Sequence, residues 1–360
     1  TYTNTKRGAI KIVKNTVGGN GTFQFNPSGF NANASFNLTT VANTAMQTFS
    51  NVAPGSGYSI TETGQTGWDL TSFTCDNGTT AAIVVVAGAT TTCTATNTKR
   101  GSITINKTAV GGNDTFGYTG SGGAPVANFN ITTVAGSGTQ QFDNVPPGGP
   151  YTIVENAPPA GWDFTNLVCG AGGSVNLGTR TATITVPAGG NVTCTYTNTK
   201  RGAIKIVKNT VGGNGTFQFN PTGFNANASF NLTTVANTAM QTFSNVAPGS
   251  GYSITETSQT GWDLTSFTCD NGTTAAIVVV AGATTTCTAT NTQRGAIKIV
   301  KSTVGGDGTF QFNPAGFNAN ASFNLTTAAG TAMTTFINVL PGNGYSINET
   351  SQTGWDLTSF

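Results

Sequence analysis

Three polar side chains fall on the inward faces of predicted β-strands, where apolar residues are expected. In GAIKIVKNT, alternation of faces puts Lys14 on the isoleucine side of the strand. The same counting puts Glu62 on the inward face of YSITET and Asn97 on that of CTATN. Burying such groups singly is costly, by a few kcal/mol for an amide and far more for an unpaired charge. We therefore predict that the three side chains meet one another.

A lysine and a glutamate that are buried together can exchange a proton and so support a reaction of the amine. Desolvation lowers the pKa of a lysine and raises that of a glutamate, which gives a neutral amine nucleophile beside a protonated acid. A low dielectric also strengthens a hydrogen bond from the acid to a neighbouring amide oxygen. The less reactive alternative is a buried Lys-Glu ion pair capped by the asparagine amide, or a lysine whose long stem carries its amine to solvent.

The three-residue pattern recurs because the chain is built from repeats. Residues 1–101 and 195–295 correspond at a constant offset and differ at only three positions. A unit of this length can bury its own core, so each repeat is predicted to be a domain. We predict that 1–5 is the last strand of a preceding domain and that the repeats, numbered 1 to 4, span 6–98, 99–199 (a longer variant), 200–292 and 293–360 (incomplete).

Within each repeat, short apolar runs alternate with Gly, Pro and Asn turns and show no helical periodicity. This pattern predicts an all-β fold, a tandem array of antiparallel β-sandwich domains with seven or eight strands each. The links between repeats are too short to be flexible linkers. Their basic pairs, such as Lys99 and Arg100, are read as solvated junctions, with a recognition role as the alternative.

The two ends of the chain do not coincide with predicted domain boundaries. The opening TYTNT repeats residues 195–199, and the last repeat stops at Phe360, before its cysteines and last strand. Two explanations are open: a window cut from a longer array, or a missing strand supplied by a neighbouring chain. We expect the window, because five residues cannot replace all that the fourth repeat lacks.

Composition narrows the classes of function. The 360 residues contain no histidine, and 15 basic against 13 acidic residues give a net charge of only +2. The commonest general base and metal ligand is therefore absent, and no electrostatic footprint for nucleic acid or an anionic membrane is present. No apolar run approaches the length of a membrane span. We expect no cofactor, no metal, no nucleic acid partner, no membrane span and no multi-turnover enzyme.

The six cysteines occur as one pair in each complete repeat. This spacing predicts intradomain disulfides and an oxidising, extracellular location, with metal binding as the rival interpretation. In a simple meander the two cysteines of a pair would lie about a strand length apart, so we predict that the segment between them crosses between sheets. The pairs are Cys75 with Cys93, Cys169 with Cys194 and Cys269 with Cys287.

These features resemble a known family. The first-strand lysine, the segment NVAPGSGYSITET followed by Gly67 and Trp68, and the asparagine of the last strand are similar to the prealbumin-like (Cna B-type) domains of bacterial surface adhesins and pilus or fibre proteins. The resemblance covers the three complete repeats and the start of the fourth.

The resemblance implies an intramolecular isopeptide bond. The Lys14 amine would attack the side-chain amide of Asn97 and expel ammonia, while Glu62 shuttles protons. The other repeats would act in the same way, although Lys301 and Glu349 await an asparagine beyond Phe360 and Asn4 lacks its lysine. The corresponding sets are Lys107, Glu155 and Asn198; Lys208, Glu256 and Asn291; and the incomplete pair Lys301 and Glu349.

The resulting hypothesis is a structural segment of an extracellular bacterial fibre or adhesin stalk on the cell surface. Its partners would be further copies of the same repeat or chain. The alternative is a multivalent binding module in which each unit engages a glycan or matrix protein.

Overall fold

The computed structural model describes residues 1–360 and is all-β apart from short 3-10 turns. It divides into two compact units, Thr1–Lys200 with repeats 1 and 2, and Arg201–Phe360 with repeats 3 and 4. Residues 1–7 form no strand. The interpretation of 1–5 as another domain's last strand therefore stays a prediction, as do the predicted domain boundaries.

Repeat 1 is a sandwich of a four-stranded and a five-stranded sheet. The four-stranded sheet has the order β4-β1-β9-β6 and the five-stranded sheet the order β3-β2-β5-β8-β7. The strands are β1 Gly8–Val17, β2 Thr22–Ser28, β3 Phe36–Thr39, β4 Thr44–Val52, β5 Gly55–Glu62, β6 Trp68–Cys75, β7 Gly78–Thr79, β8 Ala82–Val85 and β9 Thr90–Lys99.

Repeats 2 and 3 have the same two-sheet topology. The strands of repeat 2 are β10 Gly101–Val110, β11 Thr115–Ser121, β12 Phe129–Thr132, β13 Ser137–Val145, β14 Gly148–Glu155, β15 Trp162–Cys169, β16 Gly173–Asn176, β17 Thr181–Val186 and β18 Asn191–Lys200. Those of repeat 3 are β19 Gly202–Val211, β20 Thr216–Thr222, β21 Phe230–Thr233, β22 Thr238–Val246, β23 Gly249–Glu256, β24 Trp262–Cys269, β25 Gly272–Thr273, β26 Ala276–Val279 and β27 Thr284–Gln293.

Repeat 4 forms a two-stranded and a three-stranded sheet. Its strands are β28 Gly295–Ser302, β29 Thr309–Ala315, β30 Phe323–Thr326, β31 Thr331–Val339 and β32 Ser346–Glu349. Single 3-10 turns, Asn31–Asn33, Asn225–Asn227 and Asn318–Asn320, follow the second strand of repeats 1, 3 and 4.

The predicted all-β sandwich class is confirmed, with two differences in detail. Each complete repeat has nine strands, not seven or eight. The sequence did not reveal the extra strand because a strand of two residues, such as β7, is too short to give a periodic pattern. The first and last strands of a complete repeat, β1 and β9 in repeat 1, are neighbours and run parallel, whereas the other pairs are antiparallel. The two chain ends of a repeat therefore lie in adjacent strands.

The core lies between the two sheets, and period-two patterning fills it. Alternate residues of β1, from Gly8 to Thr16, are buried, and four alternate residues of β9 are buried from Thr91 to Asn97. The isoleucines of β1 pack against inward phenylalanines of β2. Lys14 thus stands within a buried apolar row, as its position in the sequence predicts.

The three predicted disulfides are present, and each joins facing residues of adjacent strands. Cys75 on β6 is opposite Cys93 on β9, with 3.9 Å between their Cα atoms. Because β7 and β8 belong to the other sheet, the chain leaves the four-stranded sheet after Cys75 and returns at β9. The predicted crossing between sheets is confirmed.

The junction between repeats 1 and 2 is held by specific contacts. Arg100 forms a forked ion pair with Asp69, with Nη2 2.6 Å from Oδ1, and its Nη1 donates to the carbonyl of Asn144 in repeat 2. Lys99 stacks over the Trp68 ring at 6.0 Å. The junction between repeats 3 and 4 repeats the arginine contacts with Arg294. These basic residues are therefore more than a solvated linker.

Candidate functional site

The strand register brings a lysine and an asparagine of repeat 1 onto one face. In the parallel pair β1 and β9, Lys14 is opposite Ala95 and Thr16 is opposite Asn97. Glu62 ends β5 in the facing sheet, opposite Phe25 of β2. The three side chains therefore converge across the core from two sheets.

The carboxylate of Glu62 contacts both nitrogens of this cluster. Its Oε2 is 2.9 Å from Lys14 Nζ, and its Oε1 accepts a 2.5 Å hydrogen bond from Asn97 Nδ2. Lys14 Nζ also donates to Asn97 Oδ1. The side chains of Lys14 and Glu62 are 0% and 2% exposed, so the cluster is shut off from bulk water.

Repeat 3 reproduces this arrangement. Glu256 Oε2 is 2.8 Å from Lys208 Nζ, and Glu256 Oε1 accepts from Asn291 Nδ2 at 2.6 Å. Lys208 Nζ again donates to Asn291 Oδ1.

Repeat 2 assembles the same residue types with different contacts. Lys107 Nζ lies 2.9 and 3.1 Å from the two carboxylate oxygens of Glu155. Asn198 Nδ2 donates to Glu155 Oε1 at 2.6 Å, but Asn198 Oδ1 has no hydrogen-bond donor.

The fourth set is partial. Lys301 Nζ lies 2.7 Å from Glu349 Oε1, and the two side chains are 12% and 9% exposed, more than in the complete repeats. No strand stands beside β28 where β9 stands beside β1. Asn4 is exposed and lies outside any strand. The structure therefore brings together three complete sets and the pair Lys301 and Glu349.

Burial sets the electrostatics of the lysines. Desolvation lowers the pKa of Lys14 and of Lys208, although the nearby glutamates act to raise it. The same desolvation lowers the pKa of Lys107 to about 8. Each amine would therefore lose its proton more readily than an exposed lysine, as a nucleophile requires.

An aromatic ring lies beside each amine, a contact that the sequence reasoning missed. Lys14 Nζ is 4.2 Å from the centroid of Phe23, whose ring packs edge-on against Trp68. The amines of the other three repeats are 4.1 to 4.2 Å from the equivalent phenylalanines. The alternation in TFQF predicts that Phe23 faces inward, but the identity of its neighbour depends on how the sheets pack.

No group of three or more His, Cys, Asp or Glu side chains could hold a metal ion. No helix has the length and apolar character needed to cross a membrane.

Comparison with protein families finds one match that recurs along the chain. The model of the prealbumin-like fold domain matches residues 10–102, 103–200, 204–296 and 297–360. The chain therefore belongs to the prealbumin-like fold family, as the resemblance of its motifs predicts. A comparison with curated proteins found no match.

Solved structures with similar folds include three proteins of bacteria. The Bacillus anthracis TIE protein is 15% identical, with a TM-score of 0.34, over 95% of this chain and 65% of that protein. The pilus adhesin SpaC from Lactobacillus rhamnosus GG is 18% identical, with a TM-score of 0.28, over 80% and 44%. The major pilin from Streptococcus pyogenes is 14% identical, with a TM-score of 0.26, over 55% and 99%. The chain thus spans less than two thirds of the first two proteins.

Proposed function

We propose that the chain is a structural segment of an extracellular fibre or stalk, in which each complete repeat closes a Lys-Asn isopeptide bond on itself. The observation that carries the proposal is the position of the Glu62 carboxylate, which touches both the attacking nitrogen and the departing nitrogen. A buried ion pair capped by the asparagine amide would make the same contacts but would lose no ammonia, so the mass of the chain separates the two.

The reaction balances within the cluster. The neutral Lys14 amine adds to Cγ of Asn97, and the bond from Cγ to Nδ2 breaks. One proton leaves Nζ and passes through Glu62 to Nδ2, so that ammonia departs and Glu62 is regenerated. Lys107, Glu155 and Asn198, and likewise Lys208, Glu256 and Asn291, have the same roles. Each repeat reacts once, so the protein is not a multi-turnover enzyme.

The mechanical consequence follows from the parallel pairing of β1 and β9. Pulling on the two ends of a repeat loads these neighbouring strands in shear. A bond from Lys14 to Asn97 joins them directly, so force bypasses the rest of the domain.

The four repeats are proposed to be separate domains at the predicted boundaries, and further copies of the chain or repeat are the proposed partners. The disulfides support an oxidising, extracellular location at the bacterial surface.

Intact mass under denaturing and reducing conditions tests the bond. The chain is expected to weigh three ammonia molecules less than its sequence, one for each complete set. The control replaces Glu62, Glu155 and Glu256 by Gln, which keeps the shape of each side chain and removes its proton-carrying ability. A wild-type mass with no ammonia missing would contradict the proposal.

A binding assay separates a stalk from the alternative, a multivalent module for glycan or matrix protein. The chain is applied to a glycan array and to immobilised matrix proteins. A stalk segment is expected to give no signal above that of a denatured control. Saturable binding would favour the alternative.

A further inference from the structure

Two buried side-chain atoms, Tyr118 Oη and Asn198 Oδ1, have no hydrogen-bond partner, and they are the only ones in the chain. An unpaired buried polar group costs about 1–3 kcal/mol, and nearly all such groups in native proteins are paired with protein or ordered water. Both atoms belong to repeat 2. Their coincidence in one repeat calls for a physical explanation.

The two residues lie in one part of the core. Tyr118 on β11 is directly opposite Glu155 on β14, the residue that accepts from Asn198 Nδ2. The Tyr118 ring packs edge-on against Tyr196, with 5.1 Å between ring centroids. Tyr196 precedes Asn198 by two residues on β18 and shares its buried face. The Tyr118 ring therefore packs against the strand that carries Asn198, and its backbone position is opposite that of Glu155.

The two atoms are chemically complementary. Burial raises the pKa of Tyr118, so its hydroxyl keeps its proton and can donate. Asn198 Oδ1 is a carbonyl oxygen and can only accept, and the Nδ2 of the same amide donates to Glu155. The other nearby polar groups are engaged, since Tyr196 Oη donates to the carbonyl of Ile153 and Lys107 contacts Glu155. A donor without an acceptor and an acceptor without a donor remain in the same core.

We propose that one buried water molecule bridges Tyr118 Oη to Asn198 Oδ1, and that Tyr118 acts through it as a positioning residue for the cross-link of repeat 2. The hydroxyl donates to the water, and the water donates to the amide oxygen. The role in cross-linking rests on the proposed function. As Lys107 Nζ adds to Cγ of Asn198, negative charge gathers on Oδ1. The bridge stabilises that charge until Glu155 has carried a proton from Nζ to Nδ2, the carbonyl reforms and ammonia leaves.

Repeats 1 and 3 lack this hydroxyl and have a different contact at the asparagine oxygen. Phe25 and Phe219 stand opposite the glutamates where repeat 2 has Tyr118. In both repeats the lysine amine itself donates to the asparagine oxygen. In repeat 2 the Lys107 amine is held by both carboxylate oxygens instead, and the asparagine oxygen is left for the water.

The test is Tyr118→Phe in the full chain, which removes only the hydroxyl and installs the residue that repeats 1 and 3 carry. The chain is synthesised cell-free under oxidising conditions and quenched at intervals, and the cross-linked peptides of each repeat are quantified by mass spectrometry. Ser28 and Thr222 distinguish the peptides of repeats 1 and 3. These two repeats serve as internal controls, and formation of the Cys169–Cys194 disulfide reports folding of repeat 2.

The expected result is at least about ten-fold slower cross-linking in repeat 2, below the hundred-fold or more typical of losing a direct oxyanion donor. Repeats 1 and 3 are expected to react at unchanged rates. The rate in repeat 2 is expected to fall by the same factor at every pH, because Lys107 is untouched. An unchanged rate in repeat 2, or a shifted pH midpoint that marks a disturbed lysine, would overturn the positioning role.

A crystal structure of the wild-type chain tests the bridge independently of the chemistry. Density for one water within hydrogen-bond distance of both Tyr118 Oη and Asn198 Oδ1 supports it, and a dry core there overturns it. If no repeat of the wild type loses ammonia, the proposed function and the positioning role fail together. The water is then still decided by the crystal structure.

Discussion

Replacing Glu62 by Gln leaves the buried Lys14 of repeat 1 without its counter-charge. In the wild type, Lys14 is 0% exposed and its amine is held 2.9 Å from the Glu62 carboxylate. The variant keeps the shape of the side chain and loses the charge and the proposed cross-link. The buried ammonium then has no counter-charge, and breaking a buried pair in this way is typically costly.

Two routes limit the cost. At 2.9 Å and an effective dielectric constant of about 20, the lost attraction is about 6 kcal/mol. Releasing the proton instead costs about 1.4 kcal/mol for each pH unit below 10.5, the ordinary lysine pKa, or about 5 kcal/mol at pH 7. Deprotonation is the cheaper route, so Lys14 is expected to be neutral in the folded variant.

The pH dependence follows with a definite sign. A folded state with neutral Lys14 binds one proton fewer than the unfolded chain, so the free energy of unfolding rises with pH. The penalty is expected to shrink from about 5 kcal/mol at pH 7 to about 2 kcal/mol at pH 9, and to vanish near the ordinary lysine pKa. The chain has no free cysteine, so no thiol ionises in the alkaline range of this measurement.

The matched control is the double variant Lys14→Met with Glu62→Gln, which also lacks the cross-link and has no buried charge. Denaturant titration with hydrogen exchange of repeat 1 peptides gives the unfolding free energy of each variant. Repeat 3, nearly identical in sequence, is the unchanged reference in the same chain. A difference between the single and double variants that is absent, or that does not change with pH, would refute the reasoning.

Three further results are expected. An Asn198→Ala chain cannot cross-link repeat 2, and the free energy of unfolding of that repeat should rise by about 3 kcal/mol between pH 8 and pH 10.5. The reason is that the pKa of Lys107 is about 8 in the folded state and 10.5 when unfolded, so the unfolded chain binds more protons in this range. Hydrogen exchange measured as a function of pH checks this. Replacing Cys75 and Cys93 by Ser opens an 18-residue separation and should cost repeat 1 about 3 kcal/mol, read in an uncross-linked background by denaturant titration. Arg100→Ala should change stability by less than about 1 kcal/mol, since the side chains of the ion pair are 37% and 33% exposed and solvent screens them. It should nevertheless raise proteolysis at the junction of repeats 1 and 2, and equal proteolysis would show that the arginine does not hold the junction.

Much of the site could be predicted because its members break a simple pattern. A strand with one buried face allows only apolar residues there, so Lys14, Glu62 and Asn97 each stand out from the period-two alternation. Groups that cannot be buried alone must be buried together, and three strands supplied one such group each. The cysteine spacing similarly predicted a disulfide that requires the chain to change sheets.

What the sequence by itself determined was the repeat, the sandwich class and the inward direction of Lys14, Glu62 and Asn97, because these depend on periodicity within single strands. Only the tertiary structure decided which strands are neighbours and which sheets face each other. The parallel pairing of β1 with β9 and the ion pair of Arg100 with Asp69 join residues distant along the chain. The lack of a partner for the Tyr118 hydroxyl likewise depends on which side chains surround it in the core. Alternation specifies a direction for each side chain, but the atoms that it meets are set by how the two sheets pack.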